Sequence, residues 1–153
     1  MTALHSRIPV VYRVAFSVLD PVFAVAGTIT AHFAPARFLL GMSPVAKYAS
    51  DNQIVFDQLG ATYLFMAFIQ ATILRETSQL KIWKRVEAGI VLCDLLHIYA
   101  SCVAIGAEAF LNPLLWRSDD WINMGILFSG LAVRVAFLLG IGMAGVKDEK
   151  KRQ

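Results

Sequence analysis

Four long runs of apolar residues, separated by short polar segments, make up most of the chain. Each run is about 20 residues long, the length that an α-helix needs to cross the roughly 30 Å hydrocarbon core of a bilayer. The runs cover residues 12–33, 55–75, 86–108 and 121–144. Proline and helix-capping residues fall between them, as in "FAPARFLLGMSP" and "FLNPLLWRSDDW". The pattern predicts an all-α fold: one domain, residues 1–153, forming a four-helix transmembrane bundle with a charged tail at 147–153.

The composition favours a membrane protein over a soluble helical bundle. Hydrophobic residues make up 58% of the chain and charged residues only 16%, whereas ordinary soluble domains are about 25% charged. The mean hydropathy of +0.61 agrees. Four helices that are apolar on every side would leave little polar surface to meet water.

The basic residues are distributed unevenly between the two sides that four spans would create. The N-terminal segment, the turn at 75–85 and the tail share one side and hold ten Lys and Arg residues, whereas the other side holds three. Because positive residues are enriched on the cytoplasmic side, both termini are predicted to be cytoplasmic. We expect an integral, multi-pass protein of the endoplasmic reticulum. No basic surface interleaved with aromatic residues indicates nucleic acid as a partner.

Ionisable residues interrupt three of the apolar runs at a similar depth. In "VLCDLLHIYASC" (91–102), Asp94 and His97 are three residues apart and share a helix face near the middle of the third span. Asp20 in the first span and Arg134 in the fourth are predicted at the same depth. Since a charged side chain at a helix centre costs roughly 2.5–3.5 kcal/mol, these groups should face one another or a wet cavity.

Weaker polar signals follow the same pattern. On the third span, Glu87, Asp94, Ser101 and Glu108 recur every seven residues, a polar seam turned toward the neighbouring helices. Asn123 shares a face with Arg134, and Tyr63 shares one with Gln70. The first span has a face of small and polar residues, suited to close helix approach: Arg13, Ser17, Asp20, Ala24, Gly27 and Ala31.

Three local features have interpretations of their own. Pro21 follows Asp20, so Asp20 lies at a kink, the alternative that we favour, or caps a helix that begins at Pro21. Trp83 is expected at the headgroup level. Glu87, next to the basic turn, is expected to be solvated, whereas Glu108 is expected to guard a cavity mouth or to reach the interface.

Three hypotheses explain the polar cluster. In the first, Arg134 is clamped between Asp94 and Asp20, with His97 hydrogen-bonded nearby, and the network only specifies packing. In the second, a carboxylate beside a histidine carries out proton transfer on a hydrophobic molecule. A proton or ion pathway is the third.

The second hypothesis predicts Asp94, His97 and Asp20 as catalytic residues and Arg134, Asn123, Gln70 and Tyr63 as substrate-binding residues, with Arg134 and Asn123 orienting a substrate oxygen. No metal or cofactor is expected, and Cys93 and Cys102 fit no redox or metal pattern.

Several stretches carry a resemblance to a known family: "YRVAFSVLDP", "QLGATYLFMAFIQATILRET", "LCDLLHIYA" and "DWINMGILFSGLAVRVAFLLGIG". Over residues 10–145 the chain resembles small fungal four-span membrane proteins that carry only a domain-of-unknown-function label. That resemblance implies a membrane location in a fungus and implies no reaction.

A looser likeness is one of architecture alone. Emopamil-binding-type sterol isomerases and fungal membrane-bound terpene cyclases also place acidic groups within small helical bundles, and the analogy implies similar proton chemistry. The sequence thus predicts an acid–base isomerase or cyclase for a hydrophobic metabolite of fungal secondary metabolism. The alternative is a non-catalytic membrane scaffold or accessory protein. The expected partners are a hydrophobic small molecule and the lipid bilayer, with membrane-protein partners or a homo-oligomer left open.

Overall fold

The computed structural model describes residues 8–143, so the charged tail at 147–153 lies outside the described residues. Within this range the chain is helical and contains no strand. Four long helices are joined by short segments, two of which contain short helices. The helices, numbered in chain order, are α1 Val10–Phe33, α2 Pro35–Met42, α3 Ser50–Glu76, α4 Leu80–Ile105, α5 Ala107–Leu111 and α6 Ser118–Leu139.

The prediction of four membrane-spanning helices is confirmed in its coarse form. α1, α3, α4 and α6 are 22 to 27 residues long, with mean hydropathies between 1.3 and 1.9. At least three quarters of the most apolar stretch of each helix is not buried within the protein, so the apolar side chains face outward. Long helices that expose apolar side chains are compatible with a multi-pass integral membrane protein.

The fourth span ends earlier than the sequence pattern predicted. α6 stops at Leu139, whereas the predicted span ran to 144. Gly140 adopts a left-handed conformation with φ of 79°, and the Ile141 amide donates to the Ala136 carbonyl at 2.9 Å. These are the contacts of a glycine C-cap. Arg134 therefore lies within the last two turns of α6 and not at its centre.

Small residues bring α1 and α3 close together, as predicted. This pair packs most extensively, followed by α4 with α6. Thr28 Oγ1 donates to the Gly60 carbonyl at 3.0 Å, and a Cβ at Gly27 would lie 3.1 Å from the Tyr63 ring. Glycine at both positions allows this backbone approach, which is a common mode of helix association in membranes.

An aromatic cluster closes the end of the bundle at which α1 begins and α6 ends. Tyr12, Phe16 and Phe137 pack with ring centroids 5.1 to 5.9 Å apart. Trp83 joins them and is only 1% exposed, while its Nε1 donates to the Thr77 carbonyl at 2.9 Å. Trp83 was predicted in a headgroup belt, but its side chain is buried in this cluster at the end of the bundle and does not face outward. Its ring fills the core, and the nearby backbone carbonyl satisfies its single donor.

Two π-helical turns face each other where the predicted kink was expected. One covers Ala15–Leu19 in α1 and the other Ile69–Ile73 in α3. Asp20 has helical geometry immediately after the first turn and does not cap a helix. The irregularity near Pro21 is thus a π-helical turn within one continuous helix. Such turns insert an extra residue and occur frequently at functional sites.

The other end of the bundle is covered by α2. Arg37 in α2 makes a two-point ion pair with Asp119 in α6, at 2.7 and 3.1 Å. This hydrogen-bonded carboxylate raises the pKa of Arg37. Arg117 donates to the Leu40 carbonyl at 3.1 Å and caps α6 together with Asp120. These contacts hold α2 against the start of α6.

Candidate functional site

A cavity of about 740 Å³ lies between α1 and α6. All four spanning helices line it, and Phe38 and Met42 of α2 contribute at one end. The volume falls within the range typical of small-molecule sites. All seven residues that the sequence predicted as site residues line this one cavity: Asp20, Tyr63, Gln70, Asp94, His97, Asn123 and Arg134.

The cavity opens sideways between α1 and α6. Its exposed large apolar residues belong to these two helices, among them Leu19 and Phe23 on α1 and Ile122 and Ile126 on α6. The aromatic cluster and α2 hold the two helices together at opposite ends. In a bilayer, an apolar molecule would therefore reach the cavity from the lipid without crossing water.

Arg134 is the centre of a buried ion-pair network. Its Nη1 donates to Asp94 Oδ2 at 2.8 Å, and its Nη2 donates to Asp20 Oδ2 at 2.5 Å. The Gln70 amide also donates to Asp20 Oδ2, at 2.9 Å. Arg134 clamped between Asp94 and Asp20 is the geometry of the first of the three hypotheses. The second π-helical turn contains Gln70, and the first ends directly before Asp20, so both turns help to place this network.

Glu87 also belongs to the network, and the prediction that it is solvated is wrong. It is 0% exposed, with Oε2 3.3 Å from Arg134 Nε. Neither of its carboxyl oxygens has a hydrogen-bond partner of good geometry among the described residues. The seven-residue spacing from Asp94 was the signal for burial, because it places both carboxyl groups on the inward face of α4.

The network holds one guanidinium and three carboxyl groups. A single positive charge cannot neutralise three carboxylates, and an unneutralised charge is costly to bury. The cluster therefore lacks positive charge as long as its carboxyl groups are ionised.

His97 belongs to a second polar group and does not contact Asp94 by a hydrogen bond. Its Nε2 lies 3.3 Å from the Tyr63 hydroxyl, and its Nδ1 lies 3.1 Å from the Cys93 carbonyl. Because a carbonyl only accepts, Nδ1 carries the proton in the neutral ring. Nε2 is then the basic nitrogen and accepts from Tyr63. The predicted carboxylate–histidine pair is replaced by a tyrosine–histidine pair, since the Asp94 carboxylate points to Arg134.

Asn123 and Arg134 share a face of α6 but lie far apart along the helix axis. They are eleven residues apart in the sequence, which at 1.5 Å per residue is about 16 Å. The expectation that both orient one substrate oxygen is therefore wrong. They line the cavity at two different levels.

Glu108 does not guard the cavity. It lies on α5, is exposed and does not line the cavity. Among residues 8–143, no group of three or more His, Cys, Asp and Glu side chains has the arrangement of a metal site.

Comparison with known proteins identifies a family and no activity. The family described as a domain of unknown function (DUF7704) matches residues 5–144, almost the whole chain. No similar curated protein and no similar solved structure was found. Because the match spans the four helices and all seven cavity residues, the chain belongs to the DUF7704 family.

Proposed function

We propose that this protein takes a hydrophobic molecule from the lipid into the cavity and rearranges it by acid–base catalysis. One observation carries the proposal: proton-carrying side chains from separate helices line a single cavity that opens sideways between α1 and α6. A structural network needs no such space beside it. The four apolar spans make the bilayer the natural source of the molecule.

The chemistry assigned to the cavity is isomerisation or cyclisation. A proton is added at one carbon of the substrate, and a proton is lost from another carbon to a base. This shifts a double bond or closes a ring with no net change in electrons and no cofactor. We assign both transfers to His97 Nε2, with the Tyr63 hydroxyl as its hydrogen-bond partner. The protonated ring adds its Nε2 proton to one carbon, and the neutral ring then takes a proton from the other carbon, which restores the starting state. A positioned histidine is well suited to this role near neutral pH.

The Arg134 network has a different role in this proposal. Its carboxyl groups lie at one end of the cavity and stabilise positive charge on the substrate. Asp94 and Asp20 line the cavity and are the groups that we assign to this stabilisation. Arg134 holds both carboxylates in place and is a positioning residue.

Metabolite profiling of a strain that lacks the gene tests the proposal. We expect a hydrophobic precursor to accumulate and its isomer or cyclised product to disappear. Reintroducing the wild-type gene should restore the product, whereas the His97→Gln protein should accumulate normally and restore about a hundredth of it. Unchanged apolar metabolites in the deletion strain would contradict the enzyme proposal. A neighbouring prenyltransferase or polyketide synthase gene would support the predicted fungal natural-product pathway.

A non-catalytic scaffold or accessory protein is the second candidate. The observation that favours it is the complete engagement of Arg134, whose Nε, Nη1 and Nη2 each face a protein carboxylate. In that case the network would specify helix packing, and His97 would only fill space. Loss of a partner enzyme from the membrane in the deletion strain, without any effect of His97→Gln, would favour this candidate.

We further infer that both termini face the cytoplasm and that the protein resides in the endoplasmic reticulum. The distribution of Lys and Arg residues, ten against three, supports the orientation. Glycosylation sites added to either terminus should stay unmodified, whereas one placed between α5 and α6 should be modified. Modification of both termini would contradict this orientation.

A further inference from the structure

Among the residues that the structure describes, those at the polar end of the cavity offer hydrogen-bond acceptors and no free cation. Arg134 directs its three nitrogens at Asp20, Glu87 and Asp94. Gln70 donates to Asp20 as well. An anionic group that entered this end would meet carboxyl groups and would have to compete with them for the guanidinium.

Asp94 and Asp20 each keep one oxygen available to a ligand. The bonds from Arg134 and Gln70 fall on the Oδ2 atoms, and no donor within residues 8–143 is bonded to either Oδ1. Asp94 is only 8% exposed, yet its Oδ1 is not one of the fully buried atoms that lack a hydrogen-bond partner. Since no donor is bonded to this oxygen, it keeps some accessible surface. Because both residues line the cavity, these oxygens are the acceptors that remain for a ligand there.

The charge balance indicates what would complete the site. Three carboxyl groups surround one guanidinium, so the network lacks positive charge unless it takes up protons. A cation at the free oxygens would supply that charge. A protonated amine would also donate hydrogen bonds to both oxygens, and charge-assisted bonds of this kind are strong in a low-dielectric site.

From these contacts, we infer that the cavity binds hydrophobic molecules that carry a protonated amine, with the amine at Asp94 and Asp20 and the apolar body between α1 and α6. This inference rests on the proposed function, because it names the class of molecule that the same cavity takes. The walls beyond the network are mostly apolar, including Phe23, Ile126 and Leu127, and suit the apolar body.

Three probes that differ only in their polar end test the inference. Hexadecylamine, hexadecan-1-ol and hexadecanoate have the same chain and are positive, neutral and negative at pH 7. Full-length protein in phosphatidylcholine nanodiscs is titrated with radiolabelled hexadecylamine, and the binding of empty nanodiscs is subtracted. The other two probes then serve as competitors. We expect hexadecan-1-ol to bind at least about tenfold more weakly than hexadecylamine, a difference of about 1.4 kcal/mol. Hexadecanoate should not compete.

Two variants test whether the amine binds at Asp94. Asp94→Asn should weaken hexadecylamine binding by about tenfold and leave hexadecan-1-ol unchanged. Asp57→Asn is the matched control, because Asp57 is a carboxylate of α3 that pairs with His32 and does not line the cavity. It should bind both probes as the wild type does.

Several outcomes would overturn the inference: hexadecanoate binding as tightly as the amine, an amine affinity that Asp94→Asn leaves unchanged, or no probe binding above empty nanodiscs. The series with the wild type decides the question even if a variant fails to fold. If the amine inference fails but product formation still depends on His97, the proposed acid–base function stands.

Discussion

The two polar groups in the cavity differ in how firmly the protein holds them. Arg134 is buried, with its two Nη atoms 2.5 and 2.8 Å from aspartate oxygens that belong to different helices. His97 is half-buried, and its ring nitrogens lie 3.1 and 3.3 Å from a backbone carbonyl and the Tyr63 hydroxyl. The first group is a fixed electrostatic framework. The second is a neutral pair that can exchange a proton without breaking an ion pair.

Because of this difference, we expect the Arg134 network to matter mainly for stability and His97 mainly for chemistry. Removing one partner from a buried ion pair leaves an uncompensated charge, which is strongly destabilising. Replacing His97 by another polar residue leaves no charge stranded. We therefore expect substitutions in the Arg134 network to lower stability and substitutions of His97 to lower activity.

Arg134→Leu should have the largest effect on stability. It strands three carboxyl groups, so we expect a loss of about 3–5 kcal/mol in the free energy of unfolding. Thermal melts in detergent measure the change. Combining Arg134→Leu with Asp94→Asn should recover part of the loss, because one stranded carboxylate is removed. Melting at the wild-type temperature would show that the ion pairs contribute nothing.

Gly130→Ala tests the network without removing a charge. A Cβ at this position would lie 2.6 Å from Arg134 Nη1. The guanidinium would have to move while two ion pairs hold it, so we expect a loss of about 1–3 kcal/mol. Gly125→Ala is the matched control on the same helix, since nothing lies within 4 Å of its Cβ. Alanine there should be neutral or slightly stabilising. Equal melting of the two variants would show that the guanidinium is not held in place.

Asp119→Asn should have the smallest effect. Its ion pair with Arg37 has the same chemistry as the Arg134 pairs, but the Arg37 side chain is 57% exposed. Water screens the charges, and such pairs contribute little to stability. We expect no measurable change in the melting temperature. A shift as large as that of Arg134→Leu would mean that burial does not explain the difference between the two arginines.

The sequence predicted the fold and the residues that line the site more accurately than the hydrogen bonds between those residues. Four apolar runs, each long enough to span a bilayer, determine four helices. Charges at matching depths in neighbouring spans predict that Asp20, Asp94 and Arg134 meet. Which groups bond is a matter of side-chain direction, and spacing along one helix does not determine it. Asp94 and His97 share a face, yet each finds its partner on a different helix.

Irregular helix geometry accounts for two of the differences, the nature of the kink near Pro21 and the end of α6. The two π-helical turns shift the register of α1 and α3 by a fraction of a turn. Pro21 signalled an irregularity in α1, whereas no residue pattern signalled the turn in α3. The early end of α6 did have a signal in Gly140 and Gly142, both with positive φ. The prediction that Glu87 is solvated was wrong because it relied on the neighbouring basic turn. The seven-residue spacing from Asp94 places Glu87 on the inward face of α4.

Deuterium incorporation tests the central claim most directly, because it follows the proton itself. Apolar extract from the deletion strain is incubated in heavy water with full-length protein in nanodiscs, and the product is analysed by mass spectrometry. If His97 transfers a proton to the substrate, the wild type should yield product that contains solvent deuterium at a new C–H bond. His97→Gln should melt like the wild type and form the labelled product about a hundredfold more slowly. Product without deuterium, or equal rates for the wild type and His97→Gln, would contradict acid–base catalysis at this site.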